Sequence, residues 1–354
     1  MYFTRQRLAL ALWLCLLIMV CRMSPVEKAE QLFTSYTGAQ PGAAVLVVKN
    51  GEPIFKKAYG TANLEARVPV AAQTNFRLAS VSKQFTAMCI VQLVERGALA
   101  YETALQEIFP DFPDYGRAIT IRHLLQHTSG LLDYEDLIPD TATVQVLDKD
   151  VLALMKAQDS TYFTPGAKFR YSNSGYAVLA MIVEKISGKS FAAYLRENIF
   201  SPLEMTNTVA YEKGISEALH RAMGYRMEGG QAVFSDQSLT SAVLGDGGIY
   251  SSIEDLFKWD QALYTNKLVS AAALAQIFTP GALNDATKTE YGFGWYIDEY
   301  RGHKRVRHSG STCGFRNEVQ RFPEDKFAVV ILTNRAEPEV EEIANKLADL
   351  FLLE

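Results

Sequence analysis

A serine hydroxyl attacks a carbonyl only when a neighbouring group takes its proton, and the run Ser80-Val81-Ser82-Lys83 supplies such a neighbour. On an α-helix, residues three apart share a face, so the Ser80 hydroxyl and the Lys83 amine come within reach of each other. At the start of that helix Ser80 also lies in the positive end of the macrodipole, which favours developing negative charge. Alone, the pattern S-x-x-K arises about once by chance in a chain this long, and an N-cap serine beside an exposed lysine explains it equally well. It has company, however: Tyr171-Ser172-Asn173 and His308-Ser309-Gly310 follow in order along the chain.

Other chemistries find less support. The α/β-hydrolase arrangement G-x-S-x-G is absent. His123 and His127 have a metal-ligand spacing but lack the glutamate of a zincin helix, and five histidines are too scattered for most metal schemes. His127 reads instead as a helix-end residue making a local hydrogen bond before the Thr128-Ser129-Gly130 turn. Neither a phosphate-binding G-x-x-x-x-G-K-[ST] nor a strand-linked G-x-G-x-x-G occurs. Gly245-Asp246-Gly247-Gly248 reads as a tight backbone turn. No cofactor and no metal is expected.

The elements that would position these residues can be traced along the chain. Residues 25–36 have a helical pattern. A β-branched run from Ala43 to Lys49, the turn pair Asn50-Gly51 and an extended stretch from Pro53 to Tyr59 form a hairpin. From Ser80 to Arg96 the pattern is helical and apolar nearly all round, with Gly97 as its stop, which describes a buried central helix. Thr120 caps a helix ending at Gly130, Ser174 begins one ending at Gly188, and Ser252 caps Ile253 to Tyr264. Strand patterns return at Tyr291–Ile297, Lys304–His308, Gly314–Phe322 and Phe327–Thr333. A last helix runs from Pro338, with Val340, Ile343, Leu347 and Phe351 on one side. Short links make these strands antiparallel, so both ends of the chain complete one sheet around a helical insert, an α+β fold.

Of the 354 residues, 48% are hydrophobic and 21% charged, an ordinary globular composition. The net charge of −5 and the lack of a basic stripe argue against a nucleic-acid partner. Residues 1–21 carry Arg5 and Arg7 and then the apolar run Leu8 to Val20, the pattern of an export signal and too short for a membrane span. Ile18-Met19-Val20-Cys21 resembles a lipoprotein cleavage box, so membrane attachment through this segment or a lipidated Cys21 is one expectation, and a soluble exported body the other. Beyond the signal only Cys89 and Cys313 remain, too few for a disulfide framework; Cys89 reads as a core residue.

Taken together, Ser80-x-x-Lys83, Tyr171-x-Asn173 and His308-Ser309-Gly310 resemble the motifs of the serine penicillin-recognising family, in its class C β-lactamase and DD-peptidase branch. Leu124-Leu125-Gln126-His127-Thr128-Ser129-Gly130-Leu131, Gly247-Gly248-Ile249-Tyr250-Ser251 and Tyr291-Gly292-Phe293-Gly294-Trp295 extend the likeness over roughly residues 30–350. The resemblance implies one catalytic domain over residues 25–350. An α/β lobe (about 25–80 and 285–354) would face a mostly helical lobe (about 81–284), with the site between them.

In such a site Ser80 forms an acyl-enzyme that water later releases. Tyr171 and Lys83 are both candidates for its base: a free tyrosine with a pKa of about 10 is roughly 0.1% ionised at neutral pH and needs cationic help, and the two would titrate as a coupled unit. Asn173 would hold the substrate amide or Lys83. The backbone N–H groups of Ser80 and Ser311 would bind the oxyanion, with Gly310 leaving room for the substrate backbone. A lysine is common where this chain has His308. An unperturbed histidine is about one-quarter protonated at pH 7 and would grip an anionic substrate in a pH-dependent way, which puts β-lactamase activity in doubt. The implied function is an exported serine hydrolase acting on a peptide amide, lactam or ester, such as a peptidoglycan fragment. It would be D-alanyl-D-alanine carboxypeptidase-like, D-peptidase-like or β-lactamase-like; a carboxylesterase, or a non-catalytic cell-wall binding module, are the alternatives.

Overall fold

A computed structural model describes residues 23–353. The expected export signal, with Arg5, Arg7 and Cys21, lies outside the described residues. A six-stranded antiparallel sheet has the order Tyr296–Tyr300, His303–Thr312, Phe315–Phe322, Phe327–Thr333, Ala43–Lys49, Glu52–Tyr59. The N-terminal hairpin thus joins the C-terminal strands through Ala43–Lys49, which runs in register with Phe327–Thr333 from Ala43 opposite Thr333 to Lys49 opposite Phe327. Asn50 and Gly51, both with positive φ, make the tight turn.

The two central strands are almost wholly buried because both faces of the sheet are covered. Ala43, Val45 and Val47 face a cluster with Phe33, Val340, Ala344 and Leu347 from the terminal helical segments. Ala44, Leu46 and Val48 face the larger core of the helical lobe. Each such buried aliphatic side chain contributes roughly 1.5–3 kcal/mol, so alternate residues of one strand glue the sheet to different layers.

The central helix begins as a 3-10 turn, Ala79–Ser82, and continues as an α-helix, Lys83–Glu95. Every residue from Lys83 to Leu93 is buried, polar ones included. One of these polar groups, the Gln84 side chain, accepts a hydrogen bond from Trp259 Nε1 at 2.9 Å. Gly97, at φ +72°, follows the last turn.

Four sequence expectations need correction. The helix capped by Thr120 spans only Ile121–Leu125, because His127 adopts φ +57° and breaks it before Gly130. The helix expected from Ser174 begins one residue earlier, capped by Ser172, whose hydroxyl accepts from Gly175 N, and spans Asn173–Ser187. Tyr291–Trp295 is no strand: Gly294 sits at φ +78°, Tyr291 makes only an isolated bridge to Tyr296, and the strand begins at Tyr296. The helical lobe also contains strands, the small sheet Phe76–Arg77, Ile249–Ser251, Val209–Ala210 and a hairpin Tyr225–Glu228 with Gln231–Phe234.

Candidate active site

Ser80 is set in place by its neighbours in sequence. Leu78 N donates to Ile249 O at 2.8 Å, and the Arg77 carbonyl accepts from Asn317 Nδ2 at 2.8 Å. Ala79 then takes φ +50°, a conformation costly for a residue with a Cβ, which turns Ser80 towards the cleft. The strand His303–Thr312 presses on this segment from the other side: a Cβ on Gly310 would lie 2.1 Å from Leu78 O. Glycine is required there by the close approach of two backbones. Pairing of this strand with Tyr296–Tyr300 ends at Arg307. From His308 to Thr312 that side has no ladder partner among the described residues, and Ser311 is exposed in the cleft wall.

Lys83 lies one helical turn below Ser80 and is fully buried. Its Nζ donates to Ser80 Oγ (3.1 Å), Asn173 Oδ1 (2.8 Å) and the Asp246 carbonyl (2.9 Å). All three ammonium protons are used. Burial pushes the Lys83 pKa down to about 8, against the pull of the Asp246 and Glu135 carboxylates. Near neutrality this amine can therefore both hold and release a proton.

Tyr171 arrives beside them by way of His127. The His127 carbonyl accepts from Arg170 N at 2.9 Å and its Nδ1 from Ser172 N at 3.0 Å, so the two bonds bracket Tyr171. The two rings lie 4.3 Å apart, and Lys83 Nζ sits 4.9 Å from the Tyr171 ring centre. The Tyr171 hydroxyl is buried with no well-formed hydrogen bond among the described residues. Burial raises its pKa well above the usual tyrosine value; interaction with the Ser80 side chain opposes this, while Asp246 and Glu135 add to it.

Of the site residues expected from sequence, Ser80, Asn173 and Ser311 line one cleft of about 120 Å³ together with Tyr134, Glu135, Asp246 and Gly247, while Lys83 lies behind it, bonded to Ser80 and Asn173. Asn173 holds Lys83 rather than an open position, and its Nδ2 donates to Glu135 Oε1 at 2.6 Å. His308 is placed differently from the expectation of a pH-dependent anion grip. It is 1% exposed, with Nδ1 bonded to the Ser309 carbonyl (2.7 Å) and Nε2 to the Tyr291 hydroxyl (2.9 Å). Burial and the Lys83 charge lower its pKa to about 3, so it is neutral at physiological pH. Ser309, on the strand's opposite face, stands across from Glu318 in the ladder.

Sequence reasoning passed over Tyr134, Glu135 and Asp246. The Tyr134 hydroxyl donates to Asp246 Oδ2 at 3.0 Å. Burial raises the Asp246 pKa to about 6 against the opposing Lys83 charge. Only the glycine-rich run around Asp246 signalled anything, and it signalled a turn.

A serine–lysine–tyrosine cluster between an antiparallel sheet and a helical lobe defines the β-lactamase/transpeptidase-like fold, α+β in class. The family described as Beta-lactamase matches residues 29–353, and the chain belongs to it. A penicillin-binding protein of Bacillus subtilis (strain 168) is 35% identical over 329 residues, covering 88% of this chain and 72% of the relative. Among solved structures, an octameric penicillin-binding protein homologue from Pyrococcus abyssi superposes with a TM-score of 0.80 at 27% identity, covering 92% of this chain and 77% of that one. A penicillin binding protein from Bacillus halodurans gives 0.78 at 28% identity, covering 93% and 99%. Site and relatives together support a serine hydrolase of this fold.

Proposed function

We propose that the chain catalyses acyl transfer to water through an acyl-enzyme on Ser80, acting on a D-alanyl peptide or a lactam. The observation that carries this reading is the Lys83 ammonium bridging Ser80 Oγ and Asn173 Oδ1 beside a buried Tyr171 hydroxyl that interacts with the Ser80 side chain without a well-formed hydrogen bond among the described residues. Once the Lys83–Tyr171 pair has given up one proton to solvent, as the Lys83 pKa of about 8 allows, it takes the Ser80 Oγ proton as that oxygen bonds to the carbonyl carbon and passes it to the leaving nitrogen or oxygen. The oxyanion is received by the N–H groups of Ser80 and Ser311, on the two backbones that Gly310 brings together. Water then attacks the ester, the same pair takes its proton and returns it to Ser80 Oγ as the bond to the acyl carbon breaks and the acid leaves. The penicillin-binding relatives support a lactam or D-peptide substrate. A carboxylesterase is the second reading, favoured by one observation: neutral, buried His308 offers no charge to a substrate carboxylate. The segment with Arg5, Arg7 and Leu8–Val20 supports action outside the cytoplasm on cell-wall fragments, free or held at the membrane through Cys21.

Intact mass followed over time after mixing the protein lacking residues 1–21 with benzylpenicillin tests the reading. A penicilloyl adduct in the parent and none in Ser80→Ala is the expected result. Equal labelling of Ser80→Ala would overturn the nucleophile; penicillin left unconsumed without adduct, alongside turnover of simple esters, would move the assignment to an esterase.

A further inference from the structure

The Lys83 ammonium is held from above by Ser80 and Asn173 and from the side by a backbone carbonyl, that of Asp246. A carbonyl has no side chain to fix it, so something must hold the turn Leu244–Gly247 that carries it. Two groups do. Asp148, the first residue of the helix Asp148–Lys156 and 7% exposed, accepts Leu244 N on Oδ2 (2.8 Å) and Gly245 N on Oδ1 (2.9 Å). From the opposite side Thr86 Oγ1, one helical turn beyond Lys83, donates to Gly245 O at 2.7 Å. Gly245 is pressed so closely between helices that a Cβ there would lie 2.4 Å from Tyr176 O and 3.0 Å from Asp148 Oδ1. The turn can neither slide nor rotate while these bonds stand.

We propose that Asp148 is a positioning residue for the reaction, its carboxylate clamping the Leu244–Gly247 turn so that the Asp246 carbonyl meets the Lys83 ammonium. The proposal rests on the reading of Lys83 as part of the catalytic cluster. It explains why a carboxylate is buried with both oxygens spent on backbone amides, an expensive arrangement to keep for packing alone. A hydrogen bond from the ammonium to a carbonyl favours the charged amine. Loosening the turn therefore lowers the Lys83 pKa further. The Asp246 carboxylate, which also favours the charged amine, is on the turn and loosens with it, acting in the same direction; the other groups facing Lys83 lie outside the turn: the Glu135 carboxylate, neutral His127 and His308, and the Tyr171 and Tyr176 rings at 4.9 and 5.6 Å. Asp148 itself faces Asp246 and Tyr134.

Asp148→Asn is the direct test: the amide keeps one acceptor and turns a second donor towards a backbone N–H. The expected result is a fall in acylation rate of about 10- to 100-fold, with the limb of the pH–rate profile that belongs to Lys83 moved to lower pH by about half a unit or more. Thr86→Val, which removes the clamp on the other side, should move the limb in the same direction and carries the test should Asp148→Asn fail to fold. NMR titration of ¹³C-labelled lysine, with the Lys83 signal assigned by its loss in Lys83→Arg, reads the same shift without a substrate. A rate that falls while the limb and the titration stay put would show a merely structural role and overturn the proposal, as would unchanged rate and titration. A parent that acylates nothing but shows the titration shift would overturn the acyl-transfer reading and leave the clamp standing.

Discussion

Replacing Glu318 by glutamine should make the fold far less sensitive to alkali. Glu318 lies in the strand Phe315–Phe322 opposite Ser309 and is fully buried. Its Oε1 accepts from Gln320 Nε2 at 3.2 Å, and its Oε2 has no partner among the described residues. Burial raises its pKa from 4.5 to about 8, Glu341 adding to the rise while Arg307, Gln320 and Arg305 oppose it. The folded state therefore binds this proton more tightly than the unfolded chain does. The stabilisation is complete below about pH 4.5 and is lost as pH rises through about 8. At about 1.4 kcal/mol per pH unit, the ceiling on that loss is about 5 kcal/mol. Urea unfolding of parent and Glu318→Gln at steps from about pH 5 to about pH 9 measures it. The difference between the two curves isolates Glu318 from Asp148 and Asp246, whose raised pKa values, about 7 and about 6, make them titrate in the same range. The variant should gain steadily on the parent from about pH 5 to about pH 8 and level off above that, for a total gain of several kcal/mol. A constant offset across the whole range would refute the reasoning, since it would mean that Glu318 ionises in the fold as readily as in water.

Three further outcomes follow from the site. Gly310→Ala puts a methyl group 2.1 Å from Leu78 O, and neither backbone can yield without moving Ser80; acylation by benzylpenicillin should fall at least about 100-fold, and a parent-like rate would show that this strand does not set the site. His308→Lys would bury an ammonium beside Lys83 and the Tyr291 hydroxyl, so thermal unfolding should show a loss of about 3 kcal/mol or more, with no gain on carboxylated substrates over their methyl esters; a gain would restore the anion-grip role. Tyr171→Phe should slow acylation at least about 100-fold while changing the melting temperature little, because its buried hydroxyl makes no well-formed hydrogen bond and meets only the Ser80 side chain among the described residues; a parent-like rate would assign the proton transfer to Lys83 alone.

The layered fold could be read in the sequence because its strands are long, apolar and closed by turn residues: Ala43–Lys49 and Phe327–Thr333 have the same bounds in the structure as in the sequence pattern. Tyr291–Trp295 misled because its alternating aromatic and glycine residues imitate a strand. Those glycines instead serve close approach, Gly294 fitting against the Lys83 backbone, where a Cβ would lie 2.8 Å from Lys83 O. Ser80, Lys83, Tyr171 and Asn173 were legible as side chains in motifs. The carbonyl of Asp246 was not, since any residue has one, and neither were the loop residues Tyr134 and Glu135. The charge state of His308 depends on Tyr291 and Tyr296 closing over it from another segment, which no local spacing discloses.

The register between Ala43–Lys49 and Phe327–Thr333 also governs when during its synthesis the molecule can become competent. The N-terminal hairpin leaves the ribosome early, as do Ser80, Lys83, Tyr171 and Asn173. Its place in the sheet exists only once the chain has been made beyond Thr333, because Phe327–Thr333 must slot between it and Phe315–Phe322. Pairings across so much sequence carry a large loop-closure cost and form slowly. A chain arrested short of Phe327 holds every catalytic side chain and no site, and the strand carrying Gly310 is braced against Leu78 only after that last insertion.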